Sequence, residues 1–170
     1  MIDKTAPSAA AAIAGIGDGA TVMIGGFGLA GMPSALIEAL IAHGARDLTI
    51  VNNNAGNGDT GLALLLKAKR VRKIVCSFPR QIDSWHFDAL YKAGEIELEL
   101  VPQGNLVYRK TARNFGPIMA AAAGCTVAQV REIVPLGALD PEAVVTPGIY
   151  VRHVVLAGAA DAAARAGARA

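Results

Sequence analysis

The residues of this chain whose types and spacing could do chemistry gather first in residues 21–33, TVMIGGFGLAGMP. Four residues of strand character, Thr21, Val22, Met23 and Ile24, run straight into glycines at 25, 26, 28 and 31 and then into a helix-like segment from Ser34. Glycine admits positive φ and carries no side chain, so backbone N–H groups in such a turn can crowd a bound anion or acyl group and point at it from a helix N-terminus. A second group follows the apolar run LTIV, which ends in Asn52, Asn53 and Asn54. The stretch GFGLAG, residues 26–31, matches the G-x-G-x-x-G fingerprint of a dinucleotide site in its place between strand and helix. That fingerprint needs an acidic residue at the end of the second strand to grip the ribose hydroxyls. A neutral asparagine is a poor substitute, so a nucleotide-binding module is the weaker reading. Glycine and asparagine also dominate ordinary turns, and each motif alone would read as turn chemistry.

Other chemistry-bearing residues read as structural. Glu95, Glu97 and Glu99 alternate with Ile96, Leu98 and Leu100, which gives a strand with one wet and one packed face rather than paired catalytic carboxylates. Cys76 and Cys125 stand far apart among strand-like or small residues and read as free thiols in a reducing cytosol. His43, His86 and His153 have no metal-ligand spacing with each other or with the cysteines, so no metal site is expected. The net charge of +2 leaves no electrostatic footprint for nucleic acid, and the basic clusters at 67–73 and 108–113 read as solvated faces. The N-terminus lacks the order of a secretory signal. The uncharged run between Asp18 and Glu38 is broken by glycines and Pro33, so no membrane span is expected and the location read is cytoplasmic.

These residues need elements to position them, and the chain supplies an alternating series. At 170 residues it fits one domain with a substantial core. Helices are expected over 8–16, 33–43, 62–68, 83–93 and 117–123. Strands are expected over 21–24, 48–51, 71–77, 95–101, 106–108, 126–134 and 149–155. Pro33 suits the first turn of its helix and Gly44 its end. Strand, helix and strand within about thirty residues is the βαβ unit, whose strands are parallel and whose crossover is right-handed. The fold class is therefore α/β, an open, mainly parallel sheet with helices on both faces. The alanine-rich tail, 157–170, is expected to be weakly ordered.

The segment DGATVMIGGFGLAGMP strongly resembles the signature of the first, or A, subunit of the family I 3-oxoacid CoA-transferases. The resemblance continues through NNNAGNGDTGLALLLKAKRVRKIVCSFPR, FDALYKAGEIELELVPQGNL, NLVYRKTARNFGPIM and EAVVTPGIYV, covering most of residues 14–155. NNNAGNGD and CSFPRQ look closest to the branch acting on 3-oxoadipate in aromatic acid catabolism. The resemblance implies ping-pong transfer of coenzyme A from succinyl-CoA to a 3-oxo acid, through a glutamyl-CoA thioester on the B subunit of a hetero-oligomer. It implies no bound cofactor, with the CoA thioester as substrate. By the same resemblance, Gln103 donates to the oxyanion, Asn53 and Asn54 bind the carboxylate of the acid substrate, and Gly25, Gly26, Phe27 and Gly28 wall the CoA and acyl region. A carboxylate attacking a thioester makes a tetrahedral oxyanion, at which one fixed donor is worth on the order of 3 kcal/mol. Neutral amides hold a carboxylate without neutralising the nucleophile beside it.

The chain also departs from that family. In the relatives, PQGNL runs into a long segment with a Thr-Pro-Thr-Gly loop, further strands and a second Gly-Asn-Leu before NLVYRKTARNFG. Here Gly104-Asn105-Leu106 serves as both copies, so a deletion junction is expected near 104–106. Such a loss would expose apolar faces and unpair sheet edges, and an internally deleted, catalytically impaired remnant is the alternative it raises.

Overall fold

The computed structural model describes residues 3–26, 31–101, 116–135, 137–140 and 143–158. The first helix, α1 (Ala9–Ile13), is shorter than its alanine-rich segment. Ser8 caps it by accepting from Ala11 N–H at 3.1 Å, and it ends in a turn in which Ile16 N–H donates to the Ile13 carbonyl. Asp18, in the Gly-Asp-Gly turn that follows, accepts from Arg46 N–H at 2.7 Å.

Three βαβ units then follow in chain order: β1 (Thr21–Met23), α2 (Ser34–His43), β2 (Leu48–Val51), α3 (Leu62–Lys67), β3 (Val71–Cys76), α4 (Trp85–Lys92) and β4 (Glu97–Leu100). In α2 the apolar residues Leu36, Ile37 and Leu40 recur at helical spacing and are buried, and Gly44 ends the helix in the left-handed region at φ 92°. In α3 the buried residues are Leu62, Ala63, Leu65 and Leu66, so this short helix is core on most of its circumference. The four strands are parallel and lie in the order β1-β2-β3-β4.

Because side chains alternate, register sorts them into two faces. Val22, Ile50, Ile74 and Leu98 are mutual partners across the sheet, and they face the core built with Ile37, Leu40, Leu65, Leu66 and Phe87. The other face carries Met23, Val51, Val75 and Glu99 in one row and Thr21, Thr49, Lys73 and Glu97 in the next. Sequential strand order with right-handed crossovers puts the helices on one side, and α2 packs on α3 and α3 on α4 accordingly. The sequence pattern predicts helices on both faces; among the described residues the crossover helices share one, and Met23 on the opposite face is 41% exposed.

Glu97 and Glu99 of β4 lie as expected on that open face, at a sheet edge, and Glu95 just precedes the strand. They are also partnered: Glu95 with Lys69 at 2.6 Å, Glu97 with Arg72 at 2.9 Å and Glu99 with Lys73 at 2.6 Å. These pairs use up much of the basic cluster at 67–73, which supports its reading as a solvated face.

After α5 (Gly116–Ala122), a second, two-stranded parallel sheet is formed by β5 (Val127–Val130) and β6 (His153–Leu156). Both strands are shorter than expected; β6 starts late because Pro147 leads into a 3-10 turn over Gly148–Tyr150. Thr5 bridges Val154, Gln129 Oε1 accepts from Leu36 N–H at 3.4 Å, and Val155 joins the core that holds Ile13. The small sheet thus packs over α1 and the start of α2. The strand expected at 106–108 and most of the tail lie outside the described residues.

Candidate active site

Open parallel sheets bind ligands beyond the carboxyl ends of their strands. Here those ends are stitched together. Ile24 N–H donates to the Val51 carbonyl at 2.9 Å, Asn52 N–H to Val75 at 3.2 Å, Phe78 N–H to Asn53 at 3.0 Å and Val101 N–H to Cys76 at 3.0 Å. The glycine turn leaves β1, the asparagines leave β2, and PQG, residues 102–104, follows β4 in the sequence outside the described residues. Between β2 and β4 stands β3, which ends in Cys76-Ser77-Phe78, so β4 lies two strand spacings, about 10 Å, from β2.

Gly25 and Gly26 sit at the start of the glycine turn. Gly26 has φ 116°, and a Cβ on Gly31 would meet the Gly26 Cα at 3.8 Å, so the two ends of the turn approach backbone to backbone. A Cβ on Gly25 would meet Gly116 Cα, the first residue of α5, at 4.0 Å. Phe27, Gly28 and Gln103 lie outside the described residues.

The asparagines form a buried polar knot. Asn52, Asn53 and Asn54 are 4%, 3% and 1% exposed. Asn52 Nδ2 donates to the Ile24 carbonyl at 2.5 Å, and Asn52 Oδ1 accepts from Asn54 N–H at 3.1 Å. Asn54 Nδ2 donates to Asn53 Oδ1 at 2.9 Å, and Asn54 Oδ1 accepts from Gly56 N–H at 2.7 Å. With Asn53 Oδ1 taken by that contact, the Asn53 NH2 is the end of its amide turned away from Asn54. Buried polar groups are kept only when bonded, and a network of this kind fixes one arrangement.

The loop behind the knot is seated as firmly. Gly56 has φ 88°, and a Cβ there would lie 2.7 Å from Ala63 N, so the loop rests on the first turn of α3. Ser84, buried, donates from Oγ to the Gly56 carbonyl at 3.2 Å and accepts from Gln81 N–H at 2.9 Å. Asn57 donates to Gln81, and Gly58 N–H to the Asp83 carbonyl. Asn52 and Ser84 are the residues that sequence reasoning passed over. The extra asparagine before the pair was the one visible signal; nothing marked Ser84.

Titratable groups stand around this knot rather than in it. Asp59 accepts from His86 Nε2 at 2.8 Å and pairs with Lys67 at 2.9 Å, and these two partners hold its carboxyl below the usual range. Burial pushes the Cys76 thiol up to about 11, so it is neutral and inert at neutral pH. Among the described residues no group of three or more His, Cys, Asp or Glu could hold a metal ion, and no helix is long and apolar enough to cross a membrane. Among the described residues the strand ends therefore carry buried neutral amides, of which the Asn53 NH2 is a donor of the kind suited to an oxyanion or a carboxylate.

The coenzyme A transferase family model matches residues 6–109 and 103–157. The chain belongs to the coenzyme A transferase family. It is 48% identical to the A subunit of the 3-oxoadipate CoA-transferase of Pseudomonas putida, over 95% of this chain and 97% of the relative. The corresponding chain of Acinetobacter baylyi is also 48% identical, over 91% of this chain and 95% of that one. An acyl-CoA transferase from E. coli O157:H7, in a thioester complex with CoA, superimposes with a TM-score of 0.72 at 18% identity. The superposition covers 88% of this chain and 46% of that one, so the chain spans about half the length of that transferase. A variant of the decarboxylase AibA/AibB gives 0.70 at 18% identity, over 92% of this chain and 84% of that one. At such identity these structures show the shared fold, which hosts more than one reaction.

Two details of these matches bear on the junction. Both matched stretches of the transferase family include residues 103–109. The alignment with the Pseudomonas relative runs over 224 positions, more than the 170 residues of this chain. The relative therefore carries an internal stretch that this transferase chain lacks, as the double use of Gly104-Asn105-Leu106 implied.

Proposed function

We propose that this chain is the A subunit of a two-chain 3-oxoacid CoA-transferase that moves coenzyme A from succinyl-CoA to 3-oxoadipate in the cytoplasm. The nucleophilic glutamate comes from a B subunit. The observation that carries this reading is the identity of 48% to the A chains of two 3-oxoadipate CoA-transferases, along nearly the whole of each. The site chemistry agrees with it. A carboxylate nucleophile needs a partner surface that stabilises negative charge without carrying a cation that would quench it, and the described strand ends present amides.

In this reading the Asn53 NH2 binds the carboxylate of the acid substrate, and Asn54 acts mainly by holding the Asn53 carbonyl. Gln103 is the side-chain donor to the tetrahedral oxyanion, and Gly25, Gly26, Phe27 and Gly28 form the wall against the acyl and thioester region. The CoA thioester enters as substrate and no resident cofactor is required.

The test is to co-express the chain with its B subunit, then to measure succinyl-CoA transfer to 3-oxoadipate and to acetoacetate. Transfer to 3-oxoadipate should dominate. Asn53→Ala should lower kcat/KM by about 10- to 100-fold, the loss of one hydrogen bond to a charged group. Preference for acetoacetate, or an Asn53→Ala enzyme as active as the unsubstituted one, would refute the assignment. A second reading rests on the absent internal stretch: a chain that binds its partner but transfers CoA poorly. Stable co-purification without turnover would select it.

A further inference from the structure

We infer that Asn52 is a positioning residue that locks the glycine turn and the asparagine pair into one unit; this rests on the transferase reading of the site. The side chain is 4% exposed and both of its polar atoms are engaged, one on each side of the site. Nδ2 donates to the carbonyl of Ile24, the residue before Gly25, and Oδ1 accepts from the backbone N–H of Asn54. Its own N–H donates to Val75, so the residue is also anchored to β3. An amide is the one side chain of this size that supplies a donor and an acceptor at fixed separation. Leucine or valine would fill the space and leave the Ile24 carbonyl and the Asn54 N–H unpaired.

The consequence for the reaction is geometric. The backbone of the glycine turn and the Asn53 amide must meet two ends of one substrate, and a shift of an ångström between them is costly even when both are intact. Among the described residues the last backbone hydrogen bond between β1 and β2 is Ile24 N–H to the Val51 carbonyl, while the chain after Val51 stays paired with β3. Asn52 is the side chain that spans the two loops, so it sets their separation without touching substrate.

The experiment compares Asn52→Ala and Asn52→Ser with Asn53→Ala in the co-purified assembly. Serine is kept as the milder variant should alanine fail to fold, since its hydroxyl is too short to bridge the same two groups. Hydrogen exchange at Gly25, Gly26 and Asn54 should quicken by at least about tenfold in the Asn52 variants, while exchange in β3 stays unchanged. In turnover, the effect of Asn53→Ala should shrink at least threefold when Asn52 is already replaced, because two residues acting through one geometry are not additive. Unchanged exchange at Gly25, Gly26 and Asn54, or full multiplication of the two activity losses, would overturn the inference. If the unsubstituted assembly transfers no CoA, the transferase reading fails and the exchange measurement still decides the clamp.

Discussion

A methyl group added at Gly56 tests whether the asparagine loop is held where the site needs it. A Cβ at this position would lie 2.7 Å from Ala63 N, 2.9 Å from Ala63 Cα and 3.2 Å from Ala63 Cβ. The first two are backbone atoms of the α3 region and cannot swing aside as a side chain would. The φ of 88° adds a second cost, since an L residue in the left-handed region loses about 1–2 kcal/mol. Overpacking adds about 1–3 kcal/mol, so Gly56→Ala should lose about 2–5 kcal/mol, a large part of the about 5–15 kcal/mol that holds a domain together. Gly44→Ala is the control. It has nearly the same φ, 92°, but nothing within 4 Å of its Cβ, so it carries the backbone term alone. Urea melts at a shared m-value should separate the two variants by at least about 1 kcal/mol. Equal losses would show that Ala63 yields freely and that the loop is not seated on α3. Because Gly56 N–H donates to Asn54 Oδ1, Gly56→Ala should also depress CoA transfer, whereas Gly44→Ala, at the far end of α2, should not.

Three further outcomes follow from the same contacts. Ser84→Ala strips a donor from the Gly56 carbonyl and an acceptor from Gln81 N–H, and a melt should show a loss of about 1–3 kcal/mol; no loss would mean that water replaces the hydroxyl. Thiol titration of the native chain at pH 8 should modify the exposed Cys125 and spare the buried Cys76 until the chain unfolds. The Cys76 thiol rises from 9.0 to about 11 on folding, so its contribution to stability is complete below pH 9 and is lost as pH climbs through 11; a Cys76→Ala chain should lack that part of the alkaline decline. Inserting the internal stretch of the Pseudomonas relative at 104–106 should raise the melting temperature and reduce binding of a hydrophobic dye, and unchanged dye binding would mean the stretch covers none of the exposed apolar surface.

Periodicity made the first four strands legible: the first three are short runs rich in β-branched or apolar residues, and the fourth alternates glutamate with leucine. Leu48–Val51 is found with its expected bounds. Position within the sheet was harder to read. Nothing local in β4 says whether a neighbour lies beyond it, yet this decides that Leu100 is 61% exposed rather than core. The site was legible as motifs and only partly as roles. Asn54 reads in the sequence like Asn53, and both are buried; what separates them is bonding, since both ends of the Asn54 amide are taken by Asn53 and Gly56. Gln129 illustrates the remaining limit: its contact with Leu36 N–H joins residues far apart in the chain, and no spacing rule reports it.

The missing stretch bears differently on the two parts of this molecule. The four-stranded sheet pairs unit by unit, each strand with the next through a local crossover, so its contacts are close in sequence. Among the described residues the hydrogen bonds of the asparagine knot come from β1, β2, β3 and the loop to Ser84, while Gly25 also lies against Gly116 at the start of α5. β5 and β6 meet the rest of the protein through the N-terminal segment, α2 and the core: Val154 exchanges hydrogen bonds with Lys4 and Ala6, Gln129 accepts from Leu36 N–H, and Val127 and Val155 pack on the core. Phe78 is 64% exposed and Val101 38%, both at the carboxyl edge where the site opens. A stretch absent beyond β4 should therefore leave the asparagine knot built, since its hydrogen bonds among the described residues lie before that point. The loss is expected at docking of the small sheet and at Gln103, which adjoins the junction, rather than at the asparagine knot.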